Sequence, residues 1–425
     1  MAGIVKDGAP IPSSSLKLSS TTLLRAKSSK KNRRGGSAAV TKGFGAPVAS
    51  SAGKKGSADV QVDKSKTARA FYEYLESKGA GDNLQRTALG FFSIPLPGKT
   101  DKTISLRGLV ALKDIKKGDA ILDLPYEVAI NLGPEGGDPT GPAIDFLRDY
   151  CETMKSWQGD AADRGAYYEM LPKFQSFDCL GSTDFFDERA LEALQSPLIA
   201  EETVQRRAQT EARFNTVIKP AQAGDDNENN PSFPPWIDGF NVTLEHLKWA
   251  VWLITSRVLT VQGAPEDSRS YRLLIPYLDM CNHDRKSPHV LTGRAMPGGR
   301  LKVVAGVNVR AGDQINICYG AGVAGNDRFI QDYGFLDDSD EAYQLVAQQL
   351  LGKIRIQEGA NVGKFLPEED REKALQALRA TTMAEDKDAL ERASGGDDNS
   401  SMAVLSATDY RLRLKQALSK YILVP

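Results

Sequence analysis

Two short polar segments within residues 271–335 carry the side chains best suited to chemistry. The first is Leu278-Asp279-Met280-Cys281-Asn282-His283-Asp284, which follows the apolar run Leu273-Leu274-Ile275-Pro276. The second is Gly312-Asp313-Gln314-Ile315-Asn316-Ile317-Cys318-Tyr319-Gly320, and Asp332-Tyr333-Gly334-Phe335 comes shortly after it. A metal site can be assembled on paper from Asp279, Cys281, His283 and His289, yet their spacing matches no known hydrolase or structural site. The chain has no Gly-x-Ser-x-Gly elbow, no phosphate loop, no His-Glu-x-x-His helix and no glycine-rich dinucleotide fingerprint. Taken singly, Asn282-His283 also reads as a turn, Tyr319 as an aromatic covering the core, and His289 as a strand residue. Their order along the chain is the feature to explain.

The elements around them follow from periodicity and turn chemistry. Ala68, Phe71, Tyr72 and Leu75 have helical spacing, ended by Gly79 to Gly81. Strands are expected at Leu89–Ile94, Leu106–Ala111 and Ala120–Pro125, with a turn at Asp114–Asp119. Gly108 either lets the backbone approach a ligand or occupies a bulge. Residues 141–259 read as helical: Ile144, Leu147, Tyr150 and Cys151 share a face, and so do Leu191, Leu194 and Leu198. A charged helix at Gln205–Phe214 reads as exposed, and Asp225–Pro235 reads as a loop. Thr243 is an N-cap with His246 in the position normally held by Glu or Gln, which makes His246 a cap or surface residue. Leu247, Ala250, Val251, Ile254 and Val258 form the buried stripe of that helix. Arg257 lies near its end, where a cation suits the helix dipole. Residues 341–425 read as further helices, interrupted by a Gly/Asp/Ser loop at Ser394–Ser401.

The ordered set Arg107-Gly108-Leu109, Asn282-His283, Cys318-Tyr319-Gly320 and Tyr333-Gly334-Phe335 resembles a SET-domain methyltransferase. More narrowly, it is similar to the subfamily of Rubisco large-subunit lysine methyltransferases and the actin-histidine methyltransferase. Tyr167–Pro172, Ala193–Leu198 and Trp249–Arg257 resemble segments of that subfamily's helical insert, so the likeness spans roughly residues 67–340. The resemblance implies an α+β chain: a β-rich SET fold over 67–340 with a helical insert at about 141–260. A small all-α substrate-binding domain at 341–425 would follow. It further implies S-adenosyl-L-methionine as cofactor, contacted by Arg107, Gly108, Leu109, Arg257, Asn282, His283 and Phe335. Tyr319 matches the catalytic tyrosine, Tyr333 a second pocket aromatic, and Asp279 a residue of the target channel. No metal is implied. The implied reaction passes a methyl group from a sulfonium to the side chain of a protein lysine in a non-histone substrate. Histidine methylation is the alternative within the subfamily, and a non-catalytic binding module of the same fold is the alternative outside it. Two departures stand out. Asp284 replaces the Ser common after Asn-His, and the Cys-rich zinc segment that completes the site of histone-directed relatives has no counterpart, a helical tail short by the family's standard standing in its stead.

The composition suits that picture. At 425 residues, 41% apolar, with a net charge of −1, the chain presents no global field for nucleic acid or an anionic membrane. No apolar run approaches the roughly 18 residues that span a bilayer. Four scattered cysteines, Cys151, Cys179, Cys281 and Cys318, suit a reducing compartment rather than a disulfide framework. Residues 1–66 are basic, Ser-rich and nearly free of acids, the composition of a disordered tail. Such a tail is compatible with a plastid transit peptide, with a nuclear signal at Lys30-Lys31-Asn32-Arg33-Arg34, or with no address at all. An intracellular monomer is expected.

Overall fold

The structure, a computed structural model, describes residues 60–96, 99–176, 180–224, 232–354, 365–393 and 399–424. The tail expected at 1–66 therefore lies almost wholly outside the described residues, as does most of the Asp225–Pro235 loop. Ahead of the expected boundary at 67, β1 (Gln61–Val62) pairs antiparallel with β2 (Thr87–Leu96). Between them α1 (Lys66–Ser77) starts at Ser65, whose hydroxyl accepts the Ala68 N–H, and buries Phe71, Tyr74 and Leu75.

Three small sheets make up the β-rich part. The first has the order β1, β2, β3 (Lys99–Ala111), β11 (Gln314–Ile317), β8 (Asn282–His283). The second joins β4 (Ala120–Pro125), β10 (Arg300–Val304) and β9 (Val290–Thr292). The third joins β5 (Ile130–Pro134), β7 (Ser270–Leu274) and β6 (Leu259–Gln262). Side-chain alternation in the first sheet sends Leu109 and Ile315, which are register partners, into the core. The β8·β11 pair is parallel, with Asn282 opposite Asn316 and His283 opposite Ile317.

The insert contains α2 (Thr140–Ser156), α3 (Arg164–Met170), α4 (Glu188–Ala193), α5 (Pro197–Arg213) and α6 (Leu244–Arg257). The cap of α6 forms as read: Thr243 Oγ1 accepts the His246 N–H, and His246 Nδ1 accepts the Thr243 N–H at 3.0 Å. His246 is not a surface residue, however, since its ring stacks on Trp236 at 3.9 Å. Burial, opposed weakly by Asp238 and Glu245, pushes its pKa down to about 4. The ring is thus neutral at pH 7 and able to accept. The exposed reading of Gln205–Phe214 holds for most of the stretch but not for Arg206, which points inward with only 12% of its side chain accessible.

Among the described residues from Asp340 onward there are four helices: α7 (Asp340–Leu350), α8 (Glu368–Leu378), α9 (Met383–Ala393) and α10 (Asn399–Ser419). Of the loop read at Ser394–Ser401, the last three residues belong to α10, which begins at Asn399, and residues 394–398 lie outside the described residues. These helices share a core with the insert. Phe186, Leu194 and Ile199 pack with Tyr343, Val346, Leu350, Tyr410 and Leu414, and Ile330 joins them from the segment beside Tyr333. A buried polar knot crosses the same boundary. Lys415 Nζ reaches Asp386 at 2.6 Å and the Thr381 carbonyl at 2.6 Å, while Arg411 bonds both Asp386 and the Ala193 carbonyl of α4.

Lys415→Met leaves the Asp386 carboxylate short of one cation in a water-free site, so the unfolding free energy should fall by about 3 kcal/mol. Urea denaturation of the two chains measures this.

Candidate active site

The site begins with a backbone reversal after β7. Tyr277 adopts φ +77°, a conformation that costs a bulky residue about 1–3 kcal/mol. Its buried side chain holds it there: the hydroxyl lies 2.9 Å from Thr87 Oγ1, and the ring packs on Phe71 and Tyr72. The turn Leu278–Met280 follows, and the Asp279 carbonyl within it and the Cys281 carbonyl just after it are both engaged by site side chains. Arg257, at the end of α6, donates Nη1 to the Asp279 carbonyl at 2.9 Å. Tyr319 donates its hydroxyl to the Cys281 carbonyl at 2.5 Å. The Asp279 carboxylate is buried, accepts from Tyr167 OH at 2.8 Å and sits 3.6 Å from Arg257 Nη1. Burial raises its pKa to about 6, with Arg257 and Tyr167 pulling the other way.

Asn282 lies across β3, its Nδ2 donating to the Arg107 carbonyl at 3.1 Å. A Cβ at position 108 would come within 2.5 Å of that amide and 2.8 Å of Gln314 Nε2, so any side chain there would push both amides out of place. The β2·β3 register runs unbroken through Gly108, which excludes the bulge reading. The close approach that Gly108 permits is to these two amides. Arg107 sends its guanidinium to the Met170 carbonyl at the end of α3. Leu109 contributes its side chain to the core alone.

His283 is oriented from both sides. Its Nδ1 accepts the Tyr319 N–H at 3.0 Å, which leaves the proton on Nε2 to face Asp337 Oδ2 at 3.3 Å. Burial opposes ionisation of Asp337. Hydrogen bonds from His283, the Ser339 N–H and Arg285 outweigh it and hold the carboxyl well below the usual range. Arg285 also donates to the Gly322 and Ala324 carbonyls at 2.8 and 2.6 Å. It thereby pins the turn after Tyr319, where Gly320, Ala321 and Gly322 take φ values of 58°, 52° and 76° in succession.

An aromatic wall completes the arrangement. Tyr319 and Tyr333 stack at 5.1 Å, and burial pushes both hydroxyl pKa values well up. Phe335 lies 6.4 Å from Tyr319 and 6.0 Å from His283, and stays 39% exposed. The structure thus brings Asp279, Asn282, His283, Tyr319, Tyr333, Phe335 and Arg257 around one locus, with the backbone of Arg107-Gly108 beneath it. Sequence reading missed Tyr167, Gln314, Asn316, Arg285 and Asp337. Only the polar i, i+2 alternation of Gln314 and Asn316 within an apolar strand offered a signal. The departure at Asp284 is absorbed locally, since its Oδ1 accepts the Lys286 N–H at 2.8 Å and shapes the exit from β8. His289 stands just before β9 with its Nδ1 facing the Gly306 N–H. Among the described residues no three His, Cys, Asp or Glu side chains group as metal ligands.

A family profile described as the SET domain matches residues 106–320. The chain is 25% identical over 248 residues to the chloroplastic ribulose-1,5 bisphosphate carboxylase/oxygenase large subunit N-methyltransferase of Nicotiana tabacum, covering 55% of this chain and 46% of that one. It is 26% identical over 252 residues to the actin-histidine N-methyltransferase of Homo sapiens, covering 55% and 38%. The chain therefore spans less than half the length of these curated relatives. A solved structure of Rubisco LSMT bound to AdoMet superposes with a TM-score of 0.50 at 17% identity, over 84% of this chain and 91% of that one, which shows a shared fold. With the profile spanning half of its residues and that fold in common, the chain belongs to the SET-domain family.

Proposed function

We propose that the chain is an S-adenosyl-L-methionine-dependent protein-lysine N-methyltransferase acting on a non-histone protein. The observation that carries this reading is the Tyr319 hydroxyl. It is anchored on the Cys281 carbonyl, stacked by Tyr333, and set beside the Arg257, Asn282 and His283 cluster. The residues present fit the cofactor's amino-acid end. Among the described residues, Arg257 Nε and Asn316 Oδ1 are buried without a partner, one a cationic donor and the other an acceptor. A carboxylate and an ammonium group supply what each lacks. Arg257, Asn282, the Arg107-Gly108 backbone and Phe335 would hold the group, which supplies an electrophilic methyl on a sulfonium.

Tyr319 donates its proton to Cys281, so its oxygen lone pairs are free to accept from an amine N–H and aim the nitrogen lone pair. Its raised pKa keeps it protonated at neutral pH, which assigns it orientation rather than proton removal. A lysine with an ordinary pKa of about 10.4 must enter neutral, and the Tyr319–Tyr333 wall disfavours the ammonium form by desolvation. Histidine as the target is the second reading, favoured by the comparable likeness to the actin-histidine enzyme.

Incubation with labelled S-adenosylmethionine and cell extract, followed by mass spectrometry, should show a methylated lysine side chain. Tyr319→Phe keeps the ring and should lower the rate on the order of a hundredfold. Label confined to imidazole would move the assignment to histidine, and a chain that binds no S-adenosylmethionine in calorimetry is not this enzyme.

The Asp279 carboxyl gives a separate pH signature. Folded, it holds its proton more tightly than when unfolded, at about 6 against 3.8. Its contribution favours folding below about pH 4 and is lost as pH rises through 6. The stability of wild type relative to Asp279→Asn should therefore fall by about 3 kcal/mol over that window. Urea unfolding at a series of pH values reads it, and a flat difference would refute the assignment.

A further inference from the structure

Tyr333 is carried by a turn wound wider than an α-helix. Over Phe329–Tyr333 the chain forms a π-helical turn, closed by the Gly334 N–H donating to the Phe329 carbonyl at 3.0 Å with Gly334 at φ +84°. Such turns are uncommon, recur at functional sites, and need surrounding contacts to keep the helix from rewinding. Rewinding here would rotate Tyr333 out of its stack on Tyr319.

The contacts that prevent it come from the insert. Ser182 Oγ donates to the Gln331 carbonyl at 2.6 Å inside the protein. Gly181 lies so close that a Cβ on it would meet the Gly334 oxygen at 2.0 Å. Arg206, on α5, spreads its guanidinium between two acids, Nη1 to Asp332 Oδ1 at 2.7 Å and Nη2 to Asp184 Oδ2 at 2.9 Å. The backbone that carries Asp184 is tied down in turn, because Arg207 bonds the carbonyls of Thr183, Asp184 and Phe186.

Buried ion pairs of this kind add little stability over apolar packing, but a forked guanidinium fixes two carboxylates in direction as well as distance. We propose that Arg206 is a positioning residue for the candidate active site: by bridging Asp184 and Asp332 it holds the π-helical turn that presents Tyr333 to Tyr319. The inference deepens the methyltransferase reading and rests on it for its effect on turnover. The geometric claim is tested without it.

Arg206→Lys keeps the charge and removes the fork. Hydrogen–deuterium exchange should become faster in residues 328–335 and stay unchanged in α1. With a methylated substrate in hand, kcat should fall about tenfold or more while the affinity for S-adenosylhomocysteine in calorimetry holds. Unchanged exchange in 328–335, or an equal rise in 328–335 and α1, overturns the proposal. So does an unchanged kcat in an enzyme that transfers methyl. If wild type transfers no methyl yet Arg206→Lys loosens 328–335 selectively, the positioning claim stands and only the functional reading fails. Should Arg206→Lys not fold, Asp332→Asn keeps the side chain's shape, weakens the Arg206 bridge at the turn itself and takes its place. Faster exchange confined to 328–335 then supports the proposal, and unchanged exchange there overturns it.

Discussion

The site depends on the two-residue parallel pairing of Asn282-His283 with Asn316-Ile317. Parallel partners cannot be joined by a tight turn, so the chain must leave β8, build β9 and β10, and return before β11 can form. That detour is what lets one strand end carry Asn282 across to the Arg107 carbonyl while the other delivers Tyr319 to His283. The register is specific in its effects. A slip of one residue would turn Asn282 away from β3 and send His283 to the opposite face. The Tyr319 N–H would then lose its acceptor, and Tyr319 OH would lose the Cys281 carbonyl. Gly108 belongs to the same constraint, because any side chain there collides with the amide that the pairing places over it.

Around this pairing the chain tolerates features that lower its stability. Tyr277 is held at positive φ, Asp279 is buried at a raised pKa, and three successive residues after Tyr319 are left-handed. Each is restrained by a hydrogen-bonding partner: Thr87 for Tyr277, Tyr167 for Asp279, Arg285 for the turn at 320–322. Clustered strain of this sort persists only where the surroundings over-determine it. The surroundings here are extensive apolar cores among the described residues, one joining the sheets to α2, α3 and α6, the other joining α4 and the start of α5 to α7, α8 and α10.

What could be read from the sequence was what local chemistry controls. β4 was placed to the residue, and the Thr243–His246 cap formed with histidine in the role of Glu, because a neutral imidazole accepts a backbone N–H as a carboxylate does. The family resemblance supplied the convergence of Asn282, His283, Tyr319, Tyr333 and Arg257, which spacing alone left open. The misses were tertiary. Arg206 sits in a charged stretch whose composition reads as solvent-facing, and nothing local reveals Asp184 and Asp332 waiting at distances of 22 and 126 residues. Asp337 offered no signal because its partners, His283 and Arg285, lie more than 50 residues away. Tyr277 gave no warning of positive φ, since only its buried ring contacts enforce it.

The shared second core alters what the helices after Asp340 are. Ile330 is fully buried between them and the insert, and it belongs to the same π-helical turn as Tyr333. Interiors packed at crystal density do not deform smoothly, so a displacement of α7 or α10 at Tyr343 or Tyr410 has to be met by movement at Ile330 or by a cavity. The polar clamps of Ser182 and Arg206 act on the turn at Gln331 and Asp332, the two residues next along. The turn is therefore gripped by apolar packing at one residue and by directed hydrogen bonds at its neighbours. Apolar packing sets how deep the turn sits, and the hydrogen bonds set how it is rotated. Tyr333 needs both to be right, because a stack on Tyr319 fails through either a shift or a twist.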